Sequence, residues 1–591
     1  MAQHQKTIQH HLALQILLAD RLIKSTKELE SSKFDFTDVT KLATQLAHLL
    51  RSTTRLVATC TTTLYDRPLR AVISHVSLNL ERAETLVQKC KNRTGILRQV
   101  FAITTNTDVR KVSSLLESSV ADMKWLVSIF VTDDNSGVNL SLPPIASNDP
   151  VLAWVWSNIA TVQHSTRLKD RVDAANSLGS LACDTDRNKK MIIQEEGVTP
   201  LLRLLKEGAS FESQIAAANT LYNLATDREK VSAFVRSLAV PVIVQVLIDS
   251  TNVLVRIKVV DLVSRLTEMD SCVQEEFGRE NVMRPIVTFL GFDLVFDDYV
   301  TNSLVRVNSE IRNNGLHLSS SLSFHNRNDT ELGSPEEIMK LKITCARALW
   351  ILAKGSLLNS KKITETKALL CLAKLIQNEN EELKLNCLMT IMELAKVGES
   401  NSELRRQAFK PNSPAARSVL DQILKIVNHE TNPKLMVFAI STIGSLARTF
   451  PASETRILGP LVSKLEHEVF DISNETVVAL TTFVNPENFN CVDHSKAIIE
   501  FNGVPCLMRF LWRNDDVKIQ VNGLKLLSYL ALHVGNNKAL EEARVLSVIE
   551  DASRSMVMTQ YPEMKEVLAK AMHHLNLYQA GHNVHKKVNG P

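Results

Sequence analysis

Leu, Ile, Val and Ala recur at spacings of three and four along almost the whole chain, the period of an amphipathic helix rather than of a strand. Four such stretches fall within 1–131. Leu12, Ile16, Ala19 and Ile23 mark the first, and Leu42, Leu46, Leu49, Leu50 and Leu56 the second. The third carries Val72, Val76, Leu80 and Ala83 behind Pro68, which suits a first helical turn. The fourth runs from Val109 through Leu116 and Val120 to Val127. Four antiparallel helices with short links predict a bundle over 1–131. The turn-rich stretch DDNSGVNLSLPPIASNDP then breaks the period and predicts a linker over 132–150.

Over 151–580 the pattern repeats. AANSLGSLA (174–182) and AANTLYNLA (217–225) place Leu178 and Leu221 43 residues apart, and Leu266 of VVDLVSRLT lies 42 beyond Leu224. CARALWILA (345–353) and CLMTIMELA (387–395) are separated by 42, and STIGSLA, VVALTTFV and GLKLLSYLA are looser copies. Between them lies a second signature, with Pro200, Pro241, Pro285 and Pro505 near the start of an apolar helix. A period of about 40–47 residues with two or three helices belongs to the armadillo/HEAT class. The expected fold is therefore all-α: an N-terminal helical bundle followed by an armadillo-repeat superhelix, an α-solenoid, of eight or nine units. A two-helix HEAT-like array is the alternative. Residues 303–336 are Ser- and Asn-rich and aperiodic, which predicts a disordered insertion. A shorter insertion is expected at 398–417, and a disordered tail at 581–591.

Composition sharpens this. Only 18 Gly and 17 Pro occur in 591 residues, far below average usage of about 7% and 5%, which argues against α/β and all-β folds. Nine scattered cysteines form no CxxC pair, which fits free, mostly buried thiols in a reducing compartment. Cys183, Cys345, Cys371 and Cys387 are expected to pack in helices. No basic segment leads into an uninterrupted apolar one at the N-terminus, so no signal peptide is expected. Phosphate loops, GxSxG and HExxH are missing from the sequence. The pairs His10–His11 and His573–His574 have no partner at metal-ligand spacing. No catalytic residue, metal or cofactor is therefore expected.

The third helix of an armadillo unit lines the concave groove. Importin-α carries WxxxN there. Aligning this chain on its terminal Leu-Ala puts no tryptophan in that slot and keeps only Asn223 of the asparagines. The same positions supply the candidate partner-binding residues Asn176, Asn219, Asn223, Asp261, Arg265, Arg347, Glu393 and Lys525. Asparagine amides can pair with a passing peptide backbone. Charges of both signs suit a protein partner with patterned charge and disfavour nucleic acid. The whole chain is near balance at +4, but 1–131 carries +7. Lys89, Lys91, Arg93 and Arg98 form a candidate patch for an anionic membrane surface.

The stretches YDRPLRAVISHVSLNLERAETLVQKCKNR, VSSLLESSVADMKWLVSIF, LSLPPIASNDPVLAWVW and KDRVDAANSLGSLACDTDRNKKMIIQEEGVTPLLRLLKEG resemble the plant Armadillo-repeat-only proteins. The likeness is specific over about 65–210 and weaker beyond. The first 60 residues depart from the family, as a divergent paralogue would. The resemblance implies a non-enzymatic scaffold in polarised growth or Rho-type GTPase signalling, with a Rho-type GTPase regulator or cytoskeletal protein as partner. It implies a cytoplasmic or plasma-membrane-associated location, with the nucleus open. A ubiquitin-ligase-associated armadillo protein is the alternative, although 1–131 has no U-box-like pattern.

Overall fold

The computed structural model describes residues 2–28, 36–59, 64–91, 102–130, 142–292, 294, 333–378, 380–451, 455–513, 516–554 and 561–588. No strand occurs among them. The chain divides into two bodies, Met1–Ser250 and Thr251–Pro591, described in turn.

The first body opens with α1 (Ala2–Lys27), α2 (Thr37–Thr59), α3 (Arg67–Lys91) and α4 (Ala102–Phe130). Each buries one stripe. In α1 it is Ile8, Leu12, Gln15, Ala19, Leu22 and Thr26; in α2 it is Val39, Ala43, Leu46, Leu50, Thr53 and Val57. Ile16, Ile23, Leu42, Leu49 and Leu56 are only half-buried beside these stripes. Small Ala43 and Thr53 take core positions because they let the helices approach closely. The packed pairs are α1–α2, α2–α4, α3–α4 and α1–α3, so the consecutive helices α2 and α3 lie across the bundle from each other. Arg51 meets Asp20 at 2.7 Å between α1 and α2, and Asn79 Nδ2 lies 2.9 Å from Ser119 Oγ and His75 Nδ1 3.2 Å from Asp122 where α3 and α4 run antiparallel. Lys91 meets Glu28 at 2.7 Å at the shared C-terminal end of α1 and α3, which therefore run parallel. The parallel helices α1 and α3 therefore pack side by side in the bundle.

Of the expected linker over 132–150, residues 142–150 are described. Pro144–Ala146 forms a 3-10 turn held on the bundle, its Ile145 N–H donating to the buried Asp122 at 2.8 Å. Next come α5 (Pro150–His164), α6 (Leu168–Asp184), α7 (Asp186–Gln194), α8 (Val198–Glu207), α9 (Phe211–Leu224), α10 (Arg228–Arg236) and α11 (Ala239–Asp249). The Trp125 and Trp156 rings lie 6.1 Å apart, joining α4 to α5. Tyr65, just before α3, donates its N–H to His164 Nε2 and its hydroxyl to the Glu195 carbonyl, both at 3.0 Å. Trp156 Nε1 donates to the Glu195 carboxylate at 2.8 Å, and Arg67 pairs with Glu196 at 2.6 Å. The bundle is docked on the first repeat through a dense polar and aromatic seam.

The second body holds α12 (Val253–Met269), α13 (Ser271–Arg279), α14 (Met283–Gly291), α15 (Pro335–Ala353), α16 (Leu357–Glu365), α17 (Ala368–Leu375), α18 (Glu381–Ser400), α19 (Ser402–Ala408), α20 (Pro414–His429) and α21 (Pro433–Ser445). It continues with α22 (Thr455–Ser463), α23 (Phe470–Phe483), α24 (Cys491–Glu500), α25 (Gly503–Arg513), α26 (Val517–Val534), α27 (Lys538–Glu542), α28 (Val545–Arg554) and α29 (Pro562–Val588). In chain order these make an opening pair, α5 and α6, then eight units of short, medium and long helix. In the sixth unit the short helix shrinks to the 3-10 turn Ala447–Thr449. Three helices per unit identify the armadillo type rather than HEAT. Consecutive long helices pack on one another within each body.

Two recurring devices explain the second sequence signature. A left-handed residue joins short to medium helix in six units: Glu196, Leu238, Asn281, Lys367, Asn502 and Arg544. At Gly197 and Gly503, which follow, a Cβ would lie 2.8 and 2.6 Å from the Ile192 and Ile498 side chains, so only glycine lets the helices close. Pro200, Pro241, Pro285 and Pro505 sit in first turns, where a backbone N–H has no helical acceptor to lose.

Three further expectations change. The region 398–417 is no insertion: α19 is the fifth unit's short helix, with Leu404 and Ala408 buried. The tail expected from 581 is helical to Val588, in a stretch with no proline before Pro591. The insertion at 303–336 lies outside the described residues except at its end, where Ser334 caps α15 and a left-handed Gly333 precedes it. Cys183 is exposed at the end of α6 rather than packed.

Candidate protein-binding face

The long helix of each unit must bury two flanks against its neighbours, which leaves one stripe accessible. That stripe holds position five before the terminal leucine, and position one in only some units. In the first body Asn176 is exposed and Asn219 half-buried, and neither amide has a hydrogen-bond partner among the described residues. Asn223 differs: its Nδ2 donates to the Gly179 carbonyl of the preceding long helix at 3.4 Å.

That bond belongs to a repeated system of ties. Thr482, the counterpart of Asn223, donates to the Gly444 carbonyl at 2.8 Å, and Gly444 is the counterpart of Gly179. One turn earlier, Thr220 donates to Ala175 at 2.7 Å and Thr390 to Ala346 at 3.1 Å, again at equivalent positions. A Cβ on Gly444 would lie 2.9 Å from the Ala479 Cα, so the close approach that makes the tie requires glycine. Asn223 is therefore part of the stacking of units, with one amide N–H engaged there.

In the second body Asp261 of α12 and Arg347 of α15 form an ion pair at 3.8 Å. Burial raises the Asp261 carboxyl above its ordinary pKa, against the pull of Arg347. Arg347 keeps a buried Nε with no acceptor. Arg265 is half-buried with a partner of its own. Glu393 sits 3.9 Å from Lys396, and the Lys525 ammonium lies 5.9 Å from the Tyr529 ring centroid. Of the candidates, Asp261 and Arg347 are brought together across adjacent helices; Glu393 and Lys525 are engaged only within their own. The companion positions Ile351, Ser445 and Tyr529 are turned inward and buried.

A pair the sequence reading missed lies on the same stripe. Asn522 Nδ2 of α26 donates to Asn474 Oδ1 of α23 at 3.3 Å. This leaves one amide donor and one amide acceptor side by side, the complement of a peptide group. The signal was present in the sequence, one turn before the positions chosen. The basic patch does not hold as a unit: Lys89 is exposed, Lys91 pairs with Glu28, and Arg93 and Arg98 lie outside the described residues.

The comparisons bear on the two segments separately. Residues 9–131 match a domain of unknown function (DUF7792), and residues 185–226 match the armadillo/beta-catenin-like repeat. No curated protein matches the chain. An engineered protein of known crystal structure superposes with a TM-score of 0.56 at 18% identity, covering 78% of this chain and 95% of its own. A computationally designed armadillo repeat protein for modular peptide recognition is 18% identical over 49% of this chain and 98% of its own, with a TM-score of 0.36. A designed armadillo repeat protein in complex with the peptide (KR)4 gives 0.36 and 18% over 49% of this chain and 97% of its own.

Proposed function

We propose that this chain is a non-enzymatic adaptor that binds an extended segment of another protein along the accessible stripe of its long helices. The observation that carries this reading is the Asn474–Asn522 pair, whose unused donor and acceptor suit a peptide backbone. Asn219 offers a similar amide in the first body. The charged residues Asp261, Arg347, Glu393 and Lys525 add both signs and favour a partner with patterned charge. The resemblance to Armadillo-repeat-only proteins points to a regulator of a Rho-type GTPase or a cytoskeletal protein, in polarised growth, at the cytoplasm or the inner face of the plasma membrane.

Affinity purification of the full chain beside an Asn219→Ala/Asn474→Ala/Asn522→Ala variant tests the reading. The variant should keep its helical circular dichroism and lose the principal interactors. A folded variant that retains every interactor overturns it.

A further inference from the structure

Beside the accessible stripe of the second body lies a small pocket with one carboxylate, Glu393, and one ammonium, Lys396, in its lining. It is enclosed by the end of α18 and the turn between α15 and α16, and holds about 340 Å³. That is the low end of ligand-sized clefts (about 300–1,000 Å³), room for one long side chain rather than a helix. Leu357 and Val397 make apolar walls. Gly355 closes one side in a left-handed conformation, φ 66°, and a Cβ there would meet nothing within 4 Å, so the mouth stays open.

Glu393 supplies the polar group. Its side chain is 13% exposed, and its carboxylate accepts no hydrogen bond among the described residues. The carboxylate oxygens are not among the buried atoms left without a partner, so they face the open space of the pocket with lone pairs free to accept. The nearest cation, Lys396, stands 3.9 Å away, beyond hydrogen-bond length, with 45% of its side chain exposed. Lys396 screens the charge without donating a hydrogen bond to it.

We infer that this pocket receives a basic side chain, arginine or lysine, from the bound partner segment, with Glu393 as its counter-ion. The aliphatic stem lies between Leu357 and Val397 and the cationic head bonds to the Glu393 carboxylate. At the mouth, Asn401 spends Oδ1 on capping α19. Its Nδ2 remains to donate to the partner's backbone carbonyl. The inference rests on the proposed peptide-binding function and specifies one residue type of the partner.

The test is selection of a random peptide library on the full-length wild type and on Glu393→Gln. Wild-type binders should carry Arg or Lys at one fixed position. A synthetic binder should lose about tenfold in affinity on Glu393→Gln, the scale of a charge-assisted hydrogen bond. Replacing its basic residue by Met should cost the wild type a similar factor and the variant little. Lys396→Ala should tighten the same peptide several-fold. Binders without a fixed basic residue, or affinities indifferent to Glu393→Gln, overturn the basic-residue assignment while leaving the peptide-binding function standing. A library that yields no binder on either protein overturns both.

Discussion

His164 shows how one residue can set the conditions under which the first body holds together. Its Nε2 accepts the Tyr65 N–H, so the ring must be neutral there. Burial, reinforced by Arg203, lowers its pKa from 6.5 to about 4. The folded state therefore binds fewer protons than the unfolded state between these values. The stabilisation is complete above about pH 6.5 and is lost as pH falls toward 4. At pH 5 the loss is up to about 2 kcal/mol. Hydrogen exchange of the Tyr65 amide, corrected for its intrinsic rate, should show this loss of protection between pH 7.5 and 5. His164→Gln keeps an acceptor without a titration and should flatten the profile. Gly444 is the counterpart case in the second body. The backbone of Ala479 lies where its Cβ would go. Gly444→Ala should lower stability by about 1–3 kcal/mol, because backbone cannot yield as a flexible side chain can. Thermal unfolding of the full chain measures it, and an unchanged transition would show that the long helices can slide apart at no cost.

At three junctions between successive units, a buried asparagine ties the chain back to the preceding long helix. Asn188, Asn359 and Asn488 donate to the carbonyls of Leu181, Leu352 and Phe483 at 3.0, 2.9 and 3.0 Å, closing the C-terminal ends of long helices. Asn359 also donates to the Gln274 carbonyl of the preceding short helix at 3.0 Å. Asn359→Leu should therefore cost about 1–3 kcal/mol, since the Gln274 carbonyl loses this donor while the Leu352 carbonyl keeps Gln274 Nε2 at 3.0 Å. Denaturant unfolding reads this, and Asn359→Gln separates lost bonds from altered volume. Long helices were legible in the sequence because an element that buries two flanks needs a regular apolar period. Short helices were not: α19 has seven residues and α27 five, too few to display a period. That is why the polar stretch around Ser402–Ala408 reads as an insertion. The candidate site was legible only as a stripe. Which of its amides are free depends on bonds such as Asn223 to Gly179, 44 residues apart, which local patterning does not encode.

For the molecule as a whole, the N-terminal bundle is the end cap of the first repeats rather than a separate appendage. A stacked array exposes an apolar face at its first unit unless something covers it. Here Trp125 packs near Trp156, Tyr65 reaches the Glu195 carbonyl 130 residues on, and Arg67 pairs with Glu196. Trp156 is buried against this seam, and Asp122 pins the 3-10 turn that leads into α5. None of these partners is close in sequence, so the repeat pattern implies that the bundle caps the array without showing which residues make the seam. Removing residues 1–131 would uncover Trp156 and leave His164 without its Tyr65 donor. The fragment 132–591 should accordingly lose hydrogen-exchange protection in α5–α8 while keeping it in the second body, and should show raised Trp156 accessibility to a fluorescence quencher. Tyr65→Phe in the full chain is the gentler version. It removes one buried hydrogen bond, worth about 1 kcal/mol, and should weaken protection in the same helices without exposing Trp156. Equal protection of α5–α8 in fragment and full chain would show that the first repeats are stable uncapped, and the seam would then be a consequence of the bundle's position and not a condition of folding.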